Sequence, residues 1–347
     1  MSLYVEIEKR LGDFTLAVQL EAEEQTLALL GASGCGKSMT LECIAGIRRP
    51  DRGRIVVDGV TWFDSARGID LPPRERRTGF LFQSYALFPQ MTVWQNIMAG
   101  ARREKDRALR RRRAEELLER FGLAPLRDRY PAQLSGGQQQ RTALARILVS
   151  EPRILLLDEP FSALDSHLRF RLEQEVREVI RRFGKTVVLV SHDRDEVFRM
   201  ADRVAVMKEG RVEICGEKKA VFRAPGTATA AALTGCKNIS AIRPLAPRRV
   251  LALDWGVELT LAEEAGEARF VGIRMHDVAA GPGENTLVCR AAEIVENPFS
   301  FVVMLAPEGA EGYAPIGWEL DKNTWRRLES DRLTVNLPPE KLLLLRG

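Results

Sequence analysis

The chain has 347 residues, which is too long for one ordinary domain and suits two. Its net charge of +4 is small for this length, so bulk charge gives no reason to expect nucleic-acid binding. Five cysteines without a C-x-x-C pair exclude the usual zinc and redox motifs and fit a reducing compartment. No apolar run approaches the roughly 20 residues that span a bilayer, so a membrane role would have to come through a partner.

The first stretch that indicates chemistry follows a buried apolar strand at 26–30. Residues 31–38 read GASGCGKS, which matches the phosphate-binding pattern G-x-x-x-x-G-K-S. A helical pattern follows and ends at Gly46, so the motif has the flanking strand and helix that it requires. Its glycines let backbone N–H groups point at phosphate. Lys37 brings a point charge to that phosphate, and the Ser38 hydroxyl suits a magnesium ion.

Charged and aromatic segments follow the phosphate-binding loop. Residues 74–77 carry three arginines and are predicted to be solvated. An apolar strand at 78–83 ends in Gln83. The next loop, 84–89, is unusually apolar, because it contains Tyr85, Leu87 and Phe88. Such a loop either packs locally or docks a partner, and the residues alone leave both readings open.

An arginine-dense stretch occupies residues 101–121. Glutamates alternate with its arginines, which predicts an exposed helical region with charges on its wet side. The interleaved acids, and the lack of an aromatic platform, argue against nucleic-acid binding.

A second anion-binding pattern lies at 134–138, which reads LSGGQ and opens another helix. Two glycines at a helix start expose backbone N–H groups. Two further buried strands then end in polar residues: the strand at 154–157 leads to Asp158 and Glu159, and the strand at 186–191 leads to His192. An open α/β sheet binds ligands at this end of its strands. The alternation of strands and helices predicts a mainly parallel sheet wrapped by helices.

In this order the motifs resemble those of the ATP-binding subunit of an ABC transporter, over roughly residues 1–237. Residues 31–38 match the phosphate loop, Gln83 the Q-loop, 134–138 the signature, 154–159 the magnesium-strand motif, 162–165 the D-loop, and His192 the switch histidine. The departures are Ala32, where proline is usual, and Met39, where threonine is usual, and neither position needs a side chain for chemistry.

The resemblance implies that two copies pair head to tail, so that the signature of one copy completes the phosphate loop of the other. It implies ATP and Mg²⁺, with Ser38, Gln83 and Asp158 as the metal ligands. Glu159 would be the general base, His192 would contact the γ-phosphate, and Gln83 would join them as a catalytic residue. Positioning and charge neutralisation of this kind are what phosphoryl transfer needs. The nucleotide-binding set would comprise Gly31, Ala32, Ser33, Gly34, Cys35, Gly36, Lys37, Ser38, Met39, Ser135, Gly136, Gly137 and Gln138, with Phe14 stacking on adenine or simply packing in the core.

Beyond residue 237 the chain consists of short alternating segments separated by turns, which predicts a small β-barrel of the TOBE/OB-like kind. The segments lie at 249–254, 256–261, 268–274, 287–295, 299–305, 331–336 and 341–345. Gly272, Ile273 and Arg274 resemble the G-I-R element of regulatory domains appended to importer ATPases. Such a domain would bind the transported ligand and restrain hydrolysis, or only dimerise.

The whole chain looks most like importer ATPases for molybdate, tungstate or sulfate, with molybdate preferred. Importers of sugars, polyamines or ferric iron are alternatives, and a soluble ABC ATPase acting on ribosomes or DNA is a more distant one. The implied partners are a second copy of the chain, a permease dimer that docks near Tyr85, Leu87 and Phe88, and an extracytoplasmic solute-binding protein, with no nucleic acid. The expected location is the cytoplasmic face of the cell membrane.

Overall fold

The structure is a computed structural model, which describes residues 2–162, 166–328, 330 and 332–347. The chain divides into two compact units, Met1–Lys218 and Lys219–Gly347. This division precedes the predicted domain end at 237, because the segment after Lys219 packs within the second unit, where Ala231 and Cys236 form a small cluster with Leu345. A functional boundary at 237 stays a prediction.

The first unit is an α/β domain. Its strands are β1 (Ser2–Leu11), β2 (Phe14–Glu23), β3 (Thr26–Gly31), β4 (Arg52–Val57), β5 (Val60–Asp64), β6 (Ile69–Asp70), β7 (Thr78–Leu81), β8 (Ile154–Asp158), β9 (Val187–Ser191), β10 (Arg203–Lys208) and β11 (Arg211–Glu217). Its helices are α1 (Lys37–Ala45), α2 (Pro73–Arg76), α3 (Val93–Gly100), α4 (Arg107–Arg120), α5 (Gly136–Leu148), α6 (Ser166–Phe183) and α7 (Arg194–Met200).

These strands form one 11-stranded sheet, in the order β6-β5-β4-β1-β2-β11-β10-β3-β9-β8-β7. The strands from β10 to β7 in this order are parallel. Residues of β3 and β9 are buried throughout, as expected where helices cover both faces of a parallel sheet. The predicted α/β class is therefore confirmed. Strands β1, β2, β4, β5 and β6 add an antiparallel extension to the parallel part.

The second unit consists mainly of two five-stranded sheets. Its helices are α8 (Lys218–Arg223), α9 (Ala228–Leu233) and α10 (Lys322–Leu328). Its sheets have the orders β14-β13-β12-β15-β21 and β16-β20-β17-β18-β19. Its strands are β12 (Asn238–Ala246), β13 (Arg249–Ala252), β14 (Val257–Thr260), β15 (Phe270–Ile273), β16 (Ala279–Ala280), β17 (Thr286–Glu296), β18 (Ser300–Pro307), β19 (Ile316–Asp321), β20 (Arg332–Asn336) and β21 (Leu343–Leu345).

Both sheets of this unit contribute to one apolar core, which includes Trp255, Val271, Val303 and Trp318. The predicted small β domain is therefore confirmed, although the sequence pattern did not indicate β12, β19 or α10. The second half of β12 is largely exposed and contains Pro244, so it lacks the alternation that marks a half-buried strand.

Arg274, from the G-I-R element, has a structural role in the second unit. Its guanidinium donates to the carbonyl oxygen of Thr234, at 2.7 Å, and to that of Phe222. Phe222 lies in α8, and Thr234 directly follows α9. Arg274, which directly follows β15, thus fastens the segment that carries α8 and α9 to that strand.

The charged segment 74–77 contains an exception to the prediction that it is solvated, because Arg76 is fully buried. Its Nη1 donates to the carbonyl oxygens of Cys43 and Ile44 at 2.8 and 3.0 Å, and its Nη2 lies 3.0 Å from Oδ1 of Asp70. A cation at a helix C-terminus satisfies carbonyl groups that have no partner within the helix. Arg76 therefore closes α1, the helix that begins at Lys37.

We expect Arg76→Met to lower the free energy of unfolding by roughly 2–4 kcal/mol, because it removes the side-chain hydrogen bonds to the carbonyl oxygens of Ile44 and Leu71 and the ion pair with Asp70. Urea unfolding would measure the loss. Arg74→Met is the matched control, since the Arg74 side chain is 83% exposed and should contribute less than about 1 kcal/mol. Equal losses in the two variants would contradict this role for Arg76.

Candidate functional site

Most of the predicted catalytic and metal-binding residues meet at one edge of the sheet, where parallel strands end together. The register places Leu81 beside Leu157, Asp158 beside Val190, and Leu30 beside Ser191. Within two residues of these positions the chain carries the remaining members of the set, namely Gln83, Glu159, His192 and the first residue of the phosphate-binding loop, Gly31. This edge is where open α/β sheets bind ligands.

The loop at 31–38 takes a conformation that requires glycine. Gly34 and Gly36 have φ values of 80° and 102°, in the left-handed region. A Cβ atom on Gly31 would lie 2.6 Å from the carbonyl oxygen of Met207, so no side chain fits there. Ala32, Ser33 and Gly34 are exposed, which leaves their backbone accessible to a phosphate group.

Lys37 is buried at the start of α1. Its Nζ donates to the carbonyl oxygens of Gly31 at 2.8 Å and Ala32 at 2.9 Å. The ammonium group therefore closes the loop on itself. It is also fixed beside the exposed backbone that would receive the phosphates.

Cys35, Met39 and Phe14 pack around this loop. Cys35 is buried in the core of the sheet, and Met39 and Phe14 are partly buried against the same core. A Cβ atom on Gly36 would lie 3.2 Å from Cζ of Phe14, so the aromatic ring flanks the loop. Stacking of Phe14 on adenine stays a prediction.

Ser38 and Asp158 form the predicted magnesium position. The Ser38 hydroxyl donates to Oδ1 of Asp158 at 2.8 Å. Burial raises the pKa of the Asp158 carboxyl, the hydrogen bond from Ser38 opposes this, and the neighbouring Glu159 adds to it. A cation beside these oxygens would counter the cost of burying the charged carboxylate, so the pair fits a divalent metal ion.

Within the described residues, no three His, Cys, Asp or Glu side chains come together to hold a metal ion. A magnesium ion at Ser38 and Asp158 would therefore complete its coordination with phosphate oxygens and water, which is the usual preference of Mg²⁺. Gln83 is exposed at the start of the loop after β7. Strand β7 pairs with β8, which ends at Asp158.

Glu159 and His192 lie side by side at the ends of β8 and β9. Oε1 of Glu159 is 3.2 Å from Nδ1 of His192, whose side chain is 58% exposed. Glu159 has a φ of 43°, and its backbone N–H donates to the carbonyl oxygen of Val190. A non-glycine residue in this region costs energy and is often found at a functional site. The pair can bind a water molecule and accept its proton.

The signature segment begins α5. Ser135 caps the helix by accepting from the backbone N–H of Gln138, and the Gln138 side chain accepts from the Ser135 N–H. Gly137 is buried, and a Cβ atom there would lie 3.0 Å from Leu172. No hydrogen bond joins 134–138 to 31–38 in the part of the chain that the structure describes. The D-loop residues 163–165 lie outside the described residues.

The loop after Gln83 differs from the expectation in one respect, because Tyr85 is buried. Its hydroxyl lies 3.5 Å from the carbonyl oxygen of Pro160. Arg146 of α5 donates to the carbonyl oxygens of Ala86 at 2.7 Å and Tyr85 at 2.9 Å. Arg146 is thus a site residue that sequence reasoning missed, since no local pattern indicates a contact between positions 60 residues apart.

Beside this loop is a surface cleft of about 560 Å³, here called the Phe88 cleft. Phe88 is 42% exposed, and the guanidinium of Arg146 lies 5.3 Å from its ring centroid. Apolar groups and three arginines, Arg77, Arg102 and Arg146, surround the opening. The lining includes Phe82, Phe88, Ala99, Gly100, Arg102 and Arg146.

Among the described residues, no helix is both long and apolar enough to cross a membrane.

The sequence pattern of the ABC transporter family matches residues 15–162. A sulfate/thiosulfate import ATP-binding protein of Chromobacterium violaceum is 39% identical over 313 residues, which cover 88% of this chain and 83% of that protein. A molybdate/tungstate import ATP-binding protein of Archaeoglobus fulgidus is 47% identical over 65% of this chain and 90% of that protein. Other relatives of similar identity are named for spermidine/putrescine and for Fe(3+) import.

Solved structures show the same fold. The ATP-binding cassette MJ0796, in a dimeric post-hydrolysis state bound to ADP and phosphate, covers 63% of this chain with 30% identity and a TM-score of 0.53, and 99% of that protein is matched. In this chain the loop at 31–38, the Asp158–Glu159 pair and His192 lie together at the carboxyl edge of the sheet. The chain therefore belongs to the ABC transporter family, as an ATP-hydrolysing, ATP-binding subunit of the import type.

Proposed function

We propose that this chain drives the import of an oxyanion by binding and hydrolysing ATP in a head-to-tail dimer. The observation that carries the proposal is the cluster at the carboxyl edge of the sheet, where Lys37, the bonded Ser38 and Asp158, and the Glu159–His192 pair come together. We place the triphosphate at the loop, beside these groups.

The chemistry follows from these positions. Lys37 and the loop N–H groups neutralise charge on the β- and γ-phosphates. Glu159 accepts the proton of a water molecule whose oxygen attacks the γ-phosphorus, and the bond between that phosphorus and the bridging oxygen to ADP breaks. His192 orients the water against the phosphate. When bound, Mg²⁺ supplies charge neutralisation to the phosphate oxygens, and Ser38, Asp158 and Gln83 would hold it.

The signature segment, residues 134–138, acts on a nucleotide bound by a second copy of the chain. Ser135 and Gly136 are accessible at the N-terminus of α5, yet they form no hydrogen bond to the loop of their own chain within the described residues. A helix N-terminus favours anions. We therefore place the signature of one copy on the γ-phosphate held by the other copy, an arrangement supported by the dimeric state of the solved relative.

The Phe88 cleft is the proposed contact with the permease. Its volume and its exposed aromatic groups suit a short helix, because an apolar groove is a usual receptor for one. Phe88 lines the cleft, and Leu87, its half-buried neighbour in the chain, does not. The buried Tyr85 packs beneath the loop that carries both residues. Docking to a permease would place the chain on the cytoplasmic face of the membrane.

We expect Phe88→Asp to abolish co-purification with the permease while basal ATP hydrolysis stays near the wild-type rate, since the residue lies outside the phosphate site. Phe198→Asp is the matched control, because Phe198 is also a phenylalanine with about the same exposure, 40%. Pull-down from detergent-solubilised membranes would measure binding. Permease binding by the Phe88 variant at the wild-type level would contradict this contact.

An oxyanion is the proposed substrate because two relatives, one of them matching most of this chain, are named for sulfate/thiosulfate and molybdate/tungstate import. Within that class molybdate or tungstate is our choice. The test is ATPase stimulation of the permease complex, with its solute-binding protein, by molybdate, tungstate, sulfate, phosphate, spermidine, Fe³⁺ and sugars. Stimulation only by a polyamine, a sugar or Fe³⁺ would overturn the oxyanion assignment and leave the importer intact.

The second unit is proposed as the regulatory domain, with residues 238–347 as its functional extent. Its support is the bond from Arg274 to the connecting segment at Thr234 and Phe222, since a ligand that moved β15 would pull on that segment. The two possible roles of this domain can be distinguished. If it binds the transported ion, adding that ion to the isolated chain should change the ATPase rate; if it only dimerises, the rate should not change.

A further inference from the structure

Behind the loop that carries His192 lies a buried carboxyl group that the mechanism above does not use. Glu196, on the first turn of α7, is only 4% exposed. Buried carboxylates are normally paired with a cation or fully hydrogen-bonded. Oε1 of Glu196 has no hydrogen-bond partner among the described residues, so this group requires another explanation.

Glu196 is bonded to the two residues that flank His192. Its carboxyl group is hydrogen-bonded to the Ser191 hydroxyl, and its backbone N–H donates to Oδ1 of Asp193 at 3.0 Å. The Ser191 hydroxyl oxygen also accepts from the backbone N–H of Asp193 at 3.0 Å. A network of three hydrogen bonds therefore links Ser191, Asp193 and Glu196, and His192 lies between the first two in the chain.

The charged groups around Glu196 come from two helices, because the strands that α7 covers, β3 and β9, contain none. Helix α6 contributes Glu173 and Arg169, and α7 with its cap contributes Arg199 and Asp193. Nε and Nη2 of Arg199 both donate to Glu173, at 2.6 and 2.9 Å, and Arg169 donates to Asp193 at 3.1 Å.

Both cations are thus engaged by other carboxylates. A charged Glu196 would be buried beside two anions, and the cation Arg169, which favours that charge, is already bonded to Asp193 through Nη1. Burial, together with Asp193 and Glu173, raises the pKa of Glu196 to about 8, despite the opposing hydrogen bond with Ser191 and the positive charge of Arg169. The carboxyl group is therefore neutral at pH 7, and its proton is lost only in mildly alkaline solution.

We propose that neutral Glu196 is a positioning residue for ATP hydrolysis, which holds Ser191 and Asp193 so that His192 meets Glu159 at the γ-phosphate. Loss of its proton buries a negative charge beside Asp193 and Glu173, and the repulsion displaces the loop at 191–193. Hydrolysis then slows while nucleotide binding is unchanged, because the phosphate-binding loop follows β3, whereas the displaced loop follows β9. The inference rests on the proposed role of His192.

The test is the pH dependence of kcat and KM for ATP in the full-length chain. For the wild type, kcat should fall above about pH 8, by roughly tenfold at pH 9 if only the protonated form is active, with little change in KM. Glu196→Gln has the shape of the protonated acid and cannot ionise, so its kcat should match the wild type at pH 7 and stay high at pH 9. Glu116→Gln, at a 60% exposed position on α4, is the matched control and should keep the wild-type profile.

An alkaline fall in kcat that is identical in the wild type and Glu196→Gln would overturn the inference, even if Glu196→Ala is too unstable to assay. His192→Ala separates the two proposals. If it leaves kcat unchanged, the proposed role of His192 fails. If it lowers kcat and Glu196→Gln does not change the pH profile, only the role of Glu196 fails.

Thermal unfolding provides a second readout. Folding raises the pKa of the Glu196 carboxyl from 4.5 to about 8. Between these two pH values the unfolded chain loses the proton and the folded chain keeps it, so the free energy of unfolding falls as the pH rises. The Tm of Glu196→Gln should therefore exceed that of the wild type by a margin that grows between pH 5 and pH 8. Equal Tm values across this range would contradict a neutral buried carboxyl group.

Discussion

Replacing Glu159 with Gln should lower the ATP turnover number by about 10²–10⁴-fold, the usual contribution of a general base. Glutamine retains the shape of the side chain near His192 but cannot accept the proton of the attacking water. ATP binding should persist, since Lys37 and the phosphate-binding loop are unchanged. The variant should then accumulate as an ATP-bound dimer, measurable by analytical ultracentrifugation with and without Mg²⁺ and ATP.

Glu151→Gln is a suitable control for this experiment. Glu151 also has a positive φ, 48°, but it is exposed and pairs with Arg113 away from the carboxyl edge. The control therefore separates the effect of replacing a glutamate with positive φ from the effect of losing the proton acceptor. An unchanged turnover number for Glu159→Gln would rule out Glu159 as the general base.

Lys37→Ala should weaken ATP binding by roughly 1.5–3 kcal/mol, or about 10- to 150-fold, because a charge-assisted contact to phosphate is lost. The bonds from Nζ to the carbonyl oxygens of Gly31 and Ala32 disappear as well, so the loop also loses a brace. Isothermal titration calorimetry with a non-hydrolysable ATP analogue and Mg²⁺ would measure the affinity.

Lys185→Ala is the matched control for Lys37→Ala. Lys185 also donates to a backbone carbonyl oxygen, that of Pro152 at 3.1 Å, but it precedes β9 and so lies at the opposite end of the sheet from the site. Its replacement should leave ATP affinity within about twofold of the wild type, since it makes no contact with phosphate. Equal affinities for Lys37→Ala and the wild type would contradict the assignment of the loop.

Local patterns were sufficient for the parts of the site that lie on buried strands. The phosphate loop, Asp158, Glu159 and His192 follow continuous apolar runs, and a covered parallel sheet brings the ends of such strands together. The expectation therefore needed no knowledge of long-range contacts. The start of α5 is also predicted from the sequence, from the two glycines after Ser135, and the structure adds that Ser135 and Gln138 form a capping box there.

Long-range contacts account for what the sequence did not indicate. Arg76 resembles its exposed neighbour Arg74, yet it is buried because its guanidinium donates to carbonyl oxygens at the C-terminus of α1. Tyr85 faces inward because Arg146 fixes the backbone on which it lies. Glu196 looks like an ordinary acidic residue in a first helical turn, and only its burial against Glu173 and Ser191 distinguishes it. Such features depend on which helices and strands pack against each other. The local spacing of apolar residues in the sequence does not specify that packing.

In the proposed mechanism, one copy of the chain completes the phosphate site of another. Photo-cross-linking tests it directly, with an ATP analogue that carries its reactive group on the γ-phosphate. A tagged Lys37→Ala chain, whose own loop binds ATP weakly, is mixed with an untagged chain whose loop is intact. We expect the label in residues 134–138 of the tagged chain. Label confined to the untagged chain would contradict it.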